Sequence, residues 1–87
     1  MIIGFTHTHA YPGAKANLHE AGTLAAGPCT VEFSDGTRVP AALHRAGESW
    51  ELDVAAYRTA RGTAIAGKRW RLRAEGDGLK VIARAGD

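Results

Sequence analysis

The stretch CTVEFSDGTRVPAAL, residues 29–43, sets the strongest constraint on what this chain can fold into. Ser34-Asp35-Gly36 suits a three-residue hairpin loop with glycine in the left-handed position, a conformation that is costly for any residue carrying a Cβ. Closing the loop between Phe33 and Thr37 places Val31 opposite Val39 and Cys29 opposite Ala41. Cys29, Val31, Phe33, Val39 and Ala41 then share one apolar face, while Glu32 and Arg38 meet on the other as an opposite-charge pair. A slip of one residue would exchange the two faces, so pattern and turn chemistry specify one register. Pro40 has no N–H for a ladder, which predicts that its strand lies at an edge or ends there.

A second hairpin is written in KRWRLRAEGDGLKVIAR, residues 68–84. A two-residue loop at Gly76-Asp77, with glycine first as a type II′ turn prefers, pairs Leu72 with Val81 and Trp70 with Ala83. One face reads Trp70, Leu72, Leu79 and Val81. The other carries Arg69, Arg71, Arg73, Lys80 and Arg84, with Ile82 as its apolar member. Between the hairpins, ESWELDVAAYRTARG reads first as a strand, because Trp50, Leu52 and Val54 alternate with Glu51 and Asp53. The alternative is a helix near 49–61, capped by Ser49 and closed by Gly62. A short strand near Ala64-Ile65 and another at Thr23-Leu24-Ala25 complete the reading.

Short strands and Gly-containing turns in 87 residues predict an all-β fold, a small antiparallel barrel or curled sheet of about five strands, with an SH3-like barrel favoured. The alternative is α+β, with the helix near 49–61. Residues 1–22 hold three of the four histidines and Tyr11-Pro12-Gly13 but little apolar periodicity, so they read as a leader outside a single β domain at 23–87. A chain this small is not expected to enclose a deep substrate cavity. The N-terminus lacks the pattern of a secretory signal, and no stretch reaches the roughly 20 apolar residues of a membrane helix. With one cysteine, Cys29, an internal disulfide is impossible, and a reducing, cytoplasmic setting without membrane association is expected.

Two constellations could carry chemistry. If residues 2–9 form a strand, His7 and His9 project to one face and could hold half a metal site, with His19 as a third ligand. The H-x-H after an apolar run resembles the opening metal motif of amidohydrolases, but over three residues only, and those enzymes need a (β/α) barrel that this chain is too short to build. The plainer reading is histidines on a loose arm, with no metal or other cofactor. The second constellation is the basic face of Arg69, Arg71, Arg73, Lys80 and Arg84, a candidate ligand or nucleic-acid surface. Its plainer reading is neutralisation by Glu51 and Asp53 on a neighbouring strand. Net charge of +2 is too small to argue for nucleic acid by itself. Cys29 falls on an apolar face, and neither Ser34 nor Ser49 lies in a nucleophile-elbow context. The resulting expectation is a binding or assembly module without catalytic activity, partnered by an unidentified protein or by its own copies through an unpaired edge strand. Nucleic-acid binding through the basic face is the first alternative, and metal binding through the histidines the second.

Overall fold

Period-two alternation runs through the long segments, and closing the sheet on itself turns it into an inside and an outside. The protein is described here by a computed structural model covering residues 1–19, 24–76 and 78–85. Its strands are β1 (Ile2–Phe5), β2 (Lys15–His19), β3 (Gly27–Glu32), β4 (Arg38–Ala46), β5 (Ser49–Val54), β6 (Tyr57–Arg58), β7 (Ala64–Ile65), β8 (Lys68–Glu75) and β9 (Gly78–Arg84). Seven of them close a barrel in the order β1-β2-β9-β8-β5-β4-β3, while β6 and β7 form a separate two-stranded ribbon. Neighbours in the barrel are antiparallel except β1 and β3, which run parallel and complete the ring. The all-β small-barrel expectation holds, with seven barrel strands rather than about five.

Segment 49–61 contains no helix. Ser49–Val54 is β5, with Trp50, Leu52 and Val54 buried, so its alternation prevailed over its helix-capping residues. β1 and β2 come from the residues that read as a leader. Ile3, Phe5, Ala14 and Ala16 are all buried in the barrel; alanine and glycine fill tight inner positions there without producing a strong hydrophobic pattern. The boundary expected at Thr23, and with it the start of the strand expected over Thr23-Leu24-Ala25, lies outside the described residues. β3 begins at Gly27.

The β3–β4 hairpin has the expected register, Val31 opposite Val39 and Cys29 opposite Ala41. Glu32 and Arg38 form the cross-strand ion pair at 2.8 Å. Pro40 acts differently from expectation: β4 runs on to Ala46 between two neighbours. Thr30, opposite Pro40, donates its N–H to Met1 O on the β1 side, so this is a position at which β3 and β4 exchange no bond. The Pro40 carbonyl instead faces β5 and accepts from Ala55 N at 3.2 Å. The proline nitrogen on that same side has no proton to return. What ends there is the pairing of β5.

In the β8–β9 hairpin, Leu72 lies opposite Val81 as expected, but Trp70 faces Arg84, not Ala83. A bulge at Arg71/Leu72 leaves Ile82 without a partner and shifts the register by one residue beyond it. Trp70, Leu72, Leu79 and Val81 nevertheless all turn inward and are buried. Ile3, Val31, Leu43, Leu52, Leu72 and Val81 are fully enclosed, each burial contributing about 1.5–3 kcal/mol.

The two ends of the barrel differ. One carries the turns at Gly47-Glu48 and Gly76 together with the connection from His19 to Gly27. The other carries the connections 6–14, 33–37 and 55–67, and loops on a rigid scaffold are where binding residues concentrate.

Candidate functional site: a cleft beneath the β6–β7 ribbon

Because β5 stops beside Pro40, the chain leaves the barrel at Ala55 and returns at Lys68. The intervening ribbon is tied to itself. Thr59 N donates to Thr63 O at 2.9 Å, Gly62 N to Thr59 O at 2.9 Å and Arg58 Nη1 to Gly62 O at 2.9 Å. Gly62 takes φ +87°, a left-handed conformation that suits a residue without a Cβ. The other two loops are joined where Ser34 N donates to His7 O at 3.0 Å. Asp35 Oδ1 accepts from Thr37 N at 3.0 Å and stiffens the β3–β4 loop.

These three connections enclose a cleft of about 560 Å³. Buried Phe33, Val54 and Trp70 line its apolar base together with half-buried Tyr57. Phe5, Phe33 and Tyr57 form a continuous stack, with ring centroids 5.5 and 5.4 Å apart and planes inclined by 23° and 20°. The stack runs from the barrel interior to the cleft, so its aromatic surface is held by the core. Besides Tyr57, the ionisable groups of the lining are His9, Asp35, Arg61 and Lys68, and no hydrogen bond joins any two of them. Burial, and next to it the Asp35 charge, pushes the Tyr57 phenol above its ordinary ionisation range. Hydrogen bonding from Thr37 holds the Asp35 carboxyl below the usual carboxylate range, with a smaller contribution from the Ala60 backbone across the cleft.

Lys68 is placed by parity. Side chains at 68, 70 and 72 share a face, and Lys68 sits opposite inward-facing Val54. It is half buried and has no ion pair among the described residues. It lies outside the expected apolar face, which begins at Trp70. The same parity places a cation at the mouth of the barrel.

The expected basic face is real as a surface but largely neutralised. Arg69 lies opposite Asp53 and Arg71 opposite Glu51, with N···O distances of 2.6 and 3.6 Å. Arg73 reaches Glu75 at 3.4 Å. Asp53 also accepts from His44 Nε2 at 3.1 Å. Hydrogen bonding from Arg69 leads the effects that hold the Asp53 carboxyl below its ordinary value. Lys80 and Arg84 have no ion pair among the described residues, and Lys80 lies between Arg73 and Lys15 across the strands.

The histidines do not converge. β1 ends at Phe5, so His7 and His9 lie on the loop beyond it, their rings each 5.2 Å from that of Tyr11. His19, opposite Ile2, is at the other end of the β1–β2 pair. Among the described residues no group of three His, Cys, Asp or Glu is arranged to hold a metal. Cys29 is buried, and desolvation raises its thiol pKa, which disfavours the nucleophilic thiolate.

Comparison with protein-family models, with curated protein sequences and with solved structures gives no significant match. Among the described residues no helix is long and apolar enough to cross a membrane.

Proposed function

We propose that the protein is a small binding module without catalytic activity, and that it takes a small molecule in the cleft beneath the β6–β7 ribbon. The observation that carries this reading is the stacked aromatic base, Phe33 on Tyr57 with Trp70 beside them, in a cleft of about 560 Å³. Ligand pockets are of this order, apolar in the main and furnished with a few polar groups. Support also comes from the meeting of the connections 6–14, 33–37 and 55–67 at the cleft. A cytoplasmic setting is part of the proposal, resting on the lone, buried thiol of Cys29.

Nucleic-acid binding draws less support, because Glu51 and Asp53 face Arg71 and Arg69. Self-assembly through an open strand edge also draws less, since the barrel is closed and the ribbon strands are two residues long.

The test is a fragment screen by two-dimensional amide NMR on the labelled protein. Binders are expected to shift the amides of Tyr57, Thr63, Ile65 and Trp70 together, and Tyr57→Ala is expected to weaken them. Fragments that move only outer-face amides around Lys80 would count against the cleft. Turnover of any substrate, abolished by one point substitution, would overturn the non-catalytic part.

A further inference from the structure

The aromatic base of the cleft says what body a ligand has; the charges around it say what that body carries. Arg61 and Lys68 oppose a single carboxylate, Asp35, among the ionisable lining residues. Asp35 is already drawn to backbone N–H groups, its Oδ1 accepting from Thr37 N at 3.0 Å. Neither cation has an ion pair among the described residues. Arg61 is exposed and could be satisfied by water. Lys68 is half buried, on the inward face of β8 opposite Val54 and two residues from buried Trp70. Lys68 has no partner for its ammonium among the described residues, and an anion in the cleft would supply a charge-assisted hydrogen bond.

Resting on the cleft reading above, we propose that the ligand is an anionic aromatic small molecule. Its planar ring lies against Tyr57 at the end of the stack, bordered by the small exposed margins of Phe33 and Trp70, and its carboxylate or phosphate meets the Lys68 ammonium, with Arg61 on the ribbon beside it. Offset stacking on the Tyr57 ring, already ordered by the Phe5–Phe33–Tyr57 column, requires little reorganisation of the protein.

Three probes of one shape separate the terms: 2-naphthoate, 2-naphthyl phosphate and neutral 2-naphthamide, titrated into the labelled full chain by amide NMR at low and high salt. At least one anion is expected to bind about tenfold more tightly than the amide, shifting cleft amides, with an advantage that shrinks as salt rises. Which anion is preferred identifies carboxylate or phosphate as the group recognised. Lys68→Gln is expected to erase the preference while leaving amide binding in place, and that retained binding also shows that the variant folds. Equal affinity for amide and anions overturns the anion inference and leaves the cleft reading intact. Failure of all three to shift the cleft overturns both. A preference that survives both Lys68→Gln and Arg61→Gln overturns the assignment of these cations.

Discussion

Asp53 on β5 and Arg69 on β8 stand directly opposite each other, and the Arg69 Nε donates to Asp53 Oδ1 at 2.6 Å. The pair places a carboxylate on the face where the chain concentrates arginine, and His44 binds the same carboxylate from β4. Because the folded pKa of Asp53 is depressed, its contribution to stability is present above the unfolded value of about 3.9 and fades as pH falls through the lower folded value. The groups are well exposed, so the contribution is small. Asp53→Asn is expected to lower stability by less than about 1 kcal/mol at neutral pH, and the difference is expected to shrink as pH falls through the lowered folded value. Urea unfolding of both proteins from neutral pH into the acid range checks it.

The same carboxylates govern what the basic face can attract. Replacing Glu51 and Asp53 with Gln and Asn removes the partners of Arg71 and Arg69 and joins them to Arg73, Lys80 and Arg84 as one cationic surface. The double variant is expected to gain salt-sensitive affinity for short single-stranded DNA over the unchanged protein at low salt. Fluorescence anisotropy across a salt series measures it. Strong binding by the unchanged protein would show that the pairing does not shield the face.

Several parts of this architecture were legible in the sequence for a local reason. The Ser34-Asp35-Gly36 loop, the opposition of Glu32 and Arg38 and the inward row of Trp70, Leu72, Leu79 and Val81 each follow from turn chemistry plus alternation. The closing of the barrel was not legible, because Ile3, Phe5, Ala14 and Ala16 derive their burial from strands far along the chain. The bulge that leaves Ile82 unpaired escapes a rule that counts outward from the turn. The cleft depends on three loops meeting, and its inward lysine was obscured because Lys68 begins a strand of basic residues. Yet position 68 shares the parity of Trp70, and parity is local information.

Gly78 tests how closely the barrel is packed where β2 meets β9. A Cβ built there would lie 2.5 Å from the Ala16 carbonyl oxygen, a backbone atom in the facing strand. Gly36, by contrast, has φ +90° with no atom within 4 Å of the same construction. Gly78→Ala must therefore separate two strands, whereas Gly36→Ala strains only its own turn. The first is expected to cost about 1–3 kcal/mol and the second about 1–2 kcal/mol. Amide exchange distinguishes them: loss of protection should concentrate on β2 and β9 in Gly78→Ala and on the β3–β4 loop in Gly36→Ala.

Tyr57 connects the core to the cleft, and its ionisation reports on both. Its phenol is raised chiefly by burial and further by the Asp35 charge. A folded value above the unfolded one means stability that is complete below pH of about 10 and is lost as pH rises through the folded value. Asp35→Asn removes the smaller influence and leaves the Phe33–Tyr57 stack, so the Tyr57 midpoint should fall while remaining above the ordinary value. Tyr57→Phe keeps the ring and removes the hydroxyl; its stability should match the parent near neutrality and exceed it in strong alkali. Ring-carbon NMR titration follows the first variant and urea unfolding at several alkaline pH values the second. An unchanged midpoint in Asp35→Asn would mean that the carboxylate and phenol do not sense each other across the cleft.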